Sequence, residues 1–248
     1  MLVSAAVCPH PPILVPAMAG EAAPELDALR AACDEAVRGL RAWDALIVVG
    51  GAPGTRSYGP DAYATLQPYG LAWTSPDDPK DGAEPLPLSL TIGRWLLDRH
   101  DAGTGARCQS VAFDAAPAEC VALGRELAES AGRVALLVMG DGSACRSEKA
   151  PGYLDERARP YDAAVARALA GADAAALAAL DADLSREVQA AGRAAWQVLA
   201  GACGATAGEG GAGRFTGRYT GRLLADEAPY GVGYFVAGWS RADQDQDG

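Results

Sequence analysis

Apolar residues in this chain follow two rhythms. Short, nearly unbroken apolar runs occupy 2–8 (LVSAAVC), 44–51 (DALIVVGG), 106–113 (ARCQSVAF) and 133–142 (RVALLVMGDG). Such runs suit strands buried on both faces. A later pair, 213–223 (GRFTGRYTGRL) and 230–239 (YGVGYFVAGW), alternates and predicts antiparallel strands. Between the runs, apolar positions recur at helical spacing over 21–43, 86–100, 116–132, 154–171 and, longest, 173–204. Strand and helix in alternation predict a single α/β domain. Its central sheet is mostly parallel, with helices on both faces and antiparallel strands near the C-terminus. The domain is expected to span 1–240, followed by a polar tail over 241–248. The long stretch 51–87 is rich in Pro, Gly and aromatic residues and is expected to fold over the carboxyl-terminal rim of the sheet. The stretch 204–214 (GATAGEGGAGR) is a Gly-rich connector.

Composition narrows the possible partners. The chain has 248 residues, of which 50% are hydrophobic, and a formal charge of −11. Nucleic acid and anionic membranes need clustered Lys and Arg, so neither is expected as the main partner. No apolar stretch approaches the roughly 20 residues of a membrane span. The start, MLVSAAVCPHPP, reads as a first strand rather than a signal peptide. The six cysteines are scattered without CxxC spacing. That pattern fits reduced, buried thiols and a cytoplasmic setting.

Candidate chemistry gathers where strands end, because ligands of open α/β sheets bind beyond the carboxyl ends of strands. There are only two histidines. His10 stands between prolines in CPHPP, which restrict its backbone and aim its side chain. The competing reading is a histidine that decorates a rigid turn. GGAPGT (50–55) lacks phosphate-loop spacing and reads as a glycine turn. GDGSACRS (140–147) places Asp141, Ser143, Cys145 and Arg146 on one loop. Arg146 beside Cys145 would favour a thiolate, but a cysteine nucleophile also wants a histidine base. His100 ends a helical stretch, where a histidine is favoured by the helix dipole. Glu227 either faces the rim or is a solvated turn residue. The rim cleft is expected to hold His10, Asp141, Ser143 and Tyr230, with His10 partly buried and a ring nitrogen paired to Asp141 or Ser143.

Five motifs in order are AAVCPHPPILVP (5–16), LIVVGG (46–51), VMGDGS (138–143), AGRAAWQVLAGA (191–202) and APYGVGYFVAGW (228–239). Together they resemble the class III extradiol ring-cleavage dioxygenase subunit-B-like superfamily, which includes the Memo-like proteins. The likeness is greatest to a degenerate, alanine-rich actinobacterial branch of unknown function. The resemblance implies an Fe(II) held by two histidines and a carboxylate, with open positions for a catechol and O₂. By position, the first metal histidine is His10. The second falls on Gly51 or Ala52, and the acid/base histidine on Ala144. The third ligand, a glutamate or in Memo-like proteins a cysteine, falls on Ala190 or Ala191. Fe(II) is therefore the cofactor the resemblance implies, and tight binding of it is not expected.

The residues leave three readings open. One is a non-catalytic or repurposed protein whose rim cleft binds a small molecule or a partner. The second is a metal-dependent dioxygenase or related oxidoreductase that uses ligands outside the family positions, such as His10, Asp141 and Glu227. The third is a metal-free enzyme that uses Cys145 or Asp141, with Ser143 beside them. Assembly into a homo-oligomer is compatible with all three.

Overall fold

The computed structural model of the chain describes residues 1–206 and 219–242. Its strands are β1 (Leu2–Cys8), β2 (Ala45–Ala52), β3 (Arg56–Tyr58), β4 (Ala64–Thr65), β5 (Thr74–Ser75), β6 (Arg107–Ala112), β7 (Val134–Met139), β8 (Tyr219–Glu227) and β9 (Tyr234–Arg241). Its α-helices are α1 (Pro16–Ala19), α2 (Asp27–Arg38), α3 (Leu88–Asp98), α4 (Pro117–Glu129), α5 (Ala158–Ala170), α6 (Ala174–Ala178), α7 (Ala182–Glu187) and α8 (Arg193–Ala202).

Seven strands form one sheet in the order β3-β6-β2-β7-β1-β9-β8. The four in the middle, β6, β2, β7 and β1, run parallel. β3 closes one edge antiparallel to β6, while β9 and β8 close the other as an antiparallel pair. Side chains alternate across each strand, and here both sides are apolar. Ala5, Val7, Leu136 and Val138 join one core cluster with residues of α4, α5, α6 and α8. Ala6, Cys8, Leu137 and Met139 join a second cluster with residues of α2 and α3. A sheet covered on both faces needs no polar alternation, which is why these strands read as continuous apolar runs. Among the described residues, no helix is long and apolar enough to cross a membrane.

One expectation is refined and another corrected. The helical stretch 173–204 divides into three helices, α6, α7 and α8. Asp173 caps α6 by accepting the Ala176 N–H at 2.9 Å, and Asp181 caps α7 by accepting the N–H groups of Asp183 and Leu184. Side-chain caps of this kind start new helices, and Gln189, with φ of 55°, ends the run before α8. The breaks let α8 turn into the core, where all ten of its residues are buried.

The correction concerns 51–87. Instead of covering the rim it supplies β3, which turns back down the edge of the sheet. It then packs Ala64, Leu66 and Leu86 into the α3 layer, where buried β4 pairs antiparallel with partly buried β5. Ser75 at its far end donates to Asp98 at the end of α3, at 2.5 Å. Of the stretch 213–223, residues 219–223 lie in β8. The remainder, most of the Gly-rich connector and most of the tail lie outside the described residues.

Candidate functional site

The register of β1 against β7 brings the two best candidates together. Cys8 pairs with Met139 across the parallel ladder. His10 and Asp141 each lie two residues past that pair, on the same rim. The Gly140 N–H donates to the Cys8 carbonyl at 2.9 Å and holds the two strand ends together. The His10 backbone N–H then donates to Asp141 Oδ1 at 2.8 Å. His10 is 6% exposed.

The pairing differs from the expected one. His10 Nδ1 lies 3.7 Å from Asp141 Oδ1, beyond hydrogen-bond length, and is buried without a partner. Ser143 does not reach the ring. Its hydroxyl donates to the Val188 carbonyl at 2.7 Å and accepts the Cys145 N–H at 3.0 Å. Ser143 thus pins the loop. Burial pushes the Asp141 carboxyl above its ordinary value, against the lowering pull of the His10 imidazole and N–H.

Cys145 also departs from expectation. Its thiol is buried, donates weakly toward the Gly152 carbonyl, and is pushed up by burial. Arg146 does not activate it, because the guanidinium turns to Asp162 at 2.8 Å. His100 serves neither Cys145 nor a metal at the rim. It sits just past α3, with Nε2 2.9 Å from Asp34 on α2, where Arg99 also binds. Burial opposes ionisation of Asp34, but the Arg99 and His100 hydrogen bonds hold its carboxyl below the usual range.

Glu227 pairs in register with Tyr234, so it lies at the same rim on β8, two strands from β1. Tyr230 donates its phenol proton to Glu25 at 2.9 Å, outside the His10 corner. Tyr234 is the tyrosine held closer in. It is buried, and its phenol is pushed up first by burial and then by the charge on Asp141.

Asp162 and Tyr234 were not among the sequence-based candidates. Asp162 is 1% exposed on α5. It accepts the Ser143 N–H at 2.9 Å as well as the Arg146 guanidinium. Gly142 and Gly233 make room for it, since a Cβ on either would collide with its carboxylate. The available signal was a carboxylate on the buried face of an amphipathic helix.

Apart from His10, the positions that the dioxygenase resemblance assigns to metal and acid/base groups hold glycine or alanine. A Cβ on Gly51 would lie 2.5 Å from the Phe113 ring and 3.2 Å from the Ala191 carbonyl, so a side chain there would have to displace Phe113. Ala144 gives its N–H to the Val188 carbonyl and takes the Gly152 N–H. Ala190 and Ala191 line a cavity of about 310 Å³ together with Phe113, Arg186 and Gln189. The loop that carries them is tied to the rim, because the Gly192 N–H donates to the Asp141 carbonyl at 2.8 Å. Among the described residues, no group of three or more His, Cys, Asp and Glu side chains is arranged to hold a metal ion. His10 and Asp141 alone do not fit the facial Fe(II) site, which needs three protein donors.

No protein-family model and no curated protein matches the chain. A solved structure does align along nearly its whole length. It is the crystal structure of an uncharacterized protein, JW3007, from Escherichia coli K12. The alignment covers 96% of this chain and 99% of that one, at 12% identity and a TM-score of 0.48. The resemblance to the extradiol superfamily therefore stands on the sequence motifs alone.

Proposed function

We propose that this chain is a small-molecule-binding protein that keeps an extradiol-type rim without its metal chemistry. The observation that carries this reading is the cavity beside Gly51. Its volume of about 310 Å³ is at the lower end for small-ligand pockets. Phe113, a large apolar side chain 47% exposed, stands on it. Ala190 and Ala191 keep it open, and Arg186 and Gln189 offer polar contacts. A compact aromatic molecule with one polar edge suits this lining. The His10–Asp141 pair stands behind the loop and supports its shape.

For the oxidoreductase reading, the example set His10, Asp141 and Glu227 is spread across the rim, since Glu227 lies on the second strand from β1. Of the two groups the metal-free reading offers, Cys145 or Asp141, the Cys145 thiol is held protonated by burial, which disfavours its use as a nucleophile.

The test uses catechol and benzoate as probes in ligand-observed NMR. Wild type should show saturation transfer to one or both. Phe113→Ser and Ala190→Phe, which strip and fill the cavity, should each abolish it. Binding that survives both variants overturns the assignment. In a second arm, Fe(II) and catechol are added under air. Oxygen uptake should not exceed that of free Fe(II), and uptake that disappears in His10→Ala would restore the dioxygenase reading.

A further inference from the structure

A chain with a net charge of −11 offers few places where cations gather unopposed. One such place lies beside the loop that follows β7. There a cavity of about 460 Å³ is lined on one side by Arg146, Ser147, Lys149 and Arg159, and on the other by the turn with Tyr230 and Gly231. No carboxylate is among its described lining residues.

The frame is fixed by backbone and by one buried acid. The Arg146 N–H donates to the Gly231 carbonyl at 3.0 Å, and its Nη1 to Asp162 at 2.8 Å. Its Nε is buried with no partner. Gly231 has φ of 77°, and a Cβ there would lie 2.5 Å from the Ser147 hydroxyl, so the turn closes on Ser147 only with glycine. The two outer cations are uncommitted. Lys149 and Arg159 are exposed, and neither forms an ion pair with a described residue. Arg159 makes only a long contact, 3.5 Å, to the Arg146 carbonyl. Glu25, the acid bonded to Tyr230, is not in the lining.

We propose that this cavity binds the phosphate group of a small molecule. A tetrahedral dianion accepts hydrogen bonds from several directions at once. A guanidinium, an ammonium and a hydroxyl around one opening supply them. The site is separate from the Phe113 cavity and is tested independently of it.

The experiment is calorimetric titration of the full-length protein with pyrophosphate at constant ionic strength, with citrate and a short single-stranded oligonucleotide as parallel arms. Pyrophosphate should bind. Lys149→Ala/Arg159→Ala, a change of exposed side chains, should weaken it about tenfold or more, as loss of two charge-assisted contacts implies. Arg38→Ala/Arg41→Ala, at the opposite end of the sheet, should leave it unchanged. The proposal is overturned if pyrophosphate does not bind, if citrate binds equally, or if both double variants lose binding alike. Tighter binding of the oligonucleotide overturns it in favour of a nucleic-acid surface.

Discussion

His10 is buried beside a partly buried Asp141, and the His10 Nδ1 has no hydrogen-bond partner. A buried carboxylate without strong partners is expensive in its charged form. The raised carboxyl of Asp141 therefore carries a sign for stability. A group whose folded-state value is raised stabilises the fold fully below its unfolded value and loses that contribution as pH rises through the folded value. Asp141→Asn keeps an oxygen for the His10 N–H and removes the charge. Its advantage over wild type should be absent near pH 4 and should grow to about 1 kcal/mol or more by pH 8, on the scale of one poorly compensated buried polar group. Urea denaturation of both proteins across that range checks this. A constant difference would mean that the charge on Asp141 is compensated in the folded state.

Glycines between α4 and α8 show what the elements demand of individual positions. A Cβ on Gly124 would strike the Val198 carbonyl, and one on Gly201 would strike the Val121 carbonyl. The two helices thus meet backbone to backbone, so neither can yield by rotating a side chain. Gly124→Ala should cost about 1–3 kcal/mol, the range for overpacking a core. Gly54→Ala, with nothing within 4 Å of the added carbon, should be nearly neutral. Chemical denaturation compares the two. Equal midpoints would mean that α4 and α8 separate at little cost.

At the scale of the molecule, stability rests on two apolar layers on either side of one sheet. All six cysteines are free thiols, and all are buried. The described residues hold no three-donor cluster through which a metal ion could stabilise the fold. Exhaustive chelation should leave the thermal unfolding midpoint unchanged, because only a ligand that prefers the folded state raises it. A drop of several degrees on chelation, reversed by Fe(II) or Zn(II), would show a metal site in this protein.

The order of strands and helices was legible in the sequence because both-face burial leaves an unmistakable pattern. The runs 2–8, 44–51, 106–113 and 133–142 predict four strands, and all four form within a residue or a few of those bounds. His10 and Asp141 were legible for a related reason, since residues just past strand ends gather at one rim. What surrounds them was decided by contacts distant in sequence. Ser143 turns from His10 to the Val188 carbonyl, 45 residues on, and Arg146 turns from Cys145 to Asp162. Local spacing carries no information about which of several nearby partners a side chain will choose. The course of 51–87 was hidden likewise, because its edge strand exists only through pairing with β6, some fifty residues later. Periodicity is a local property written by burial, so the sequence by itself determined the layers. Choice among hydrogen-bond partners and the shape of a cavity depend on how those layers close, which only the tertiary structure decided.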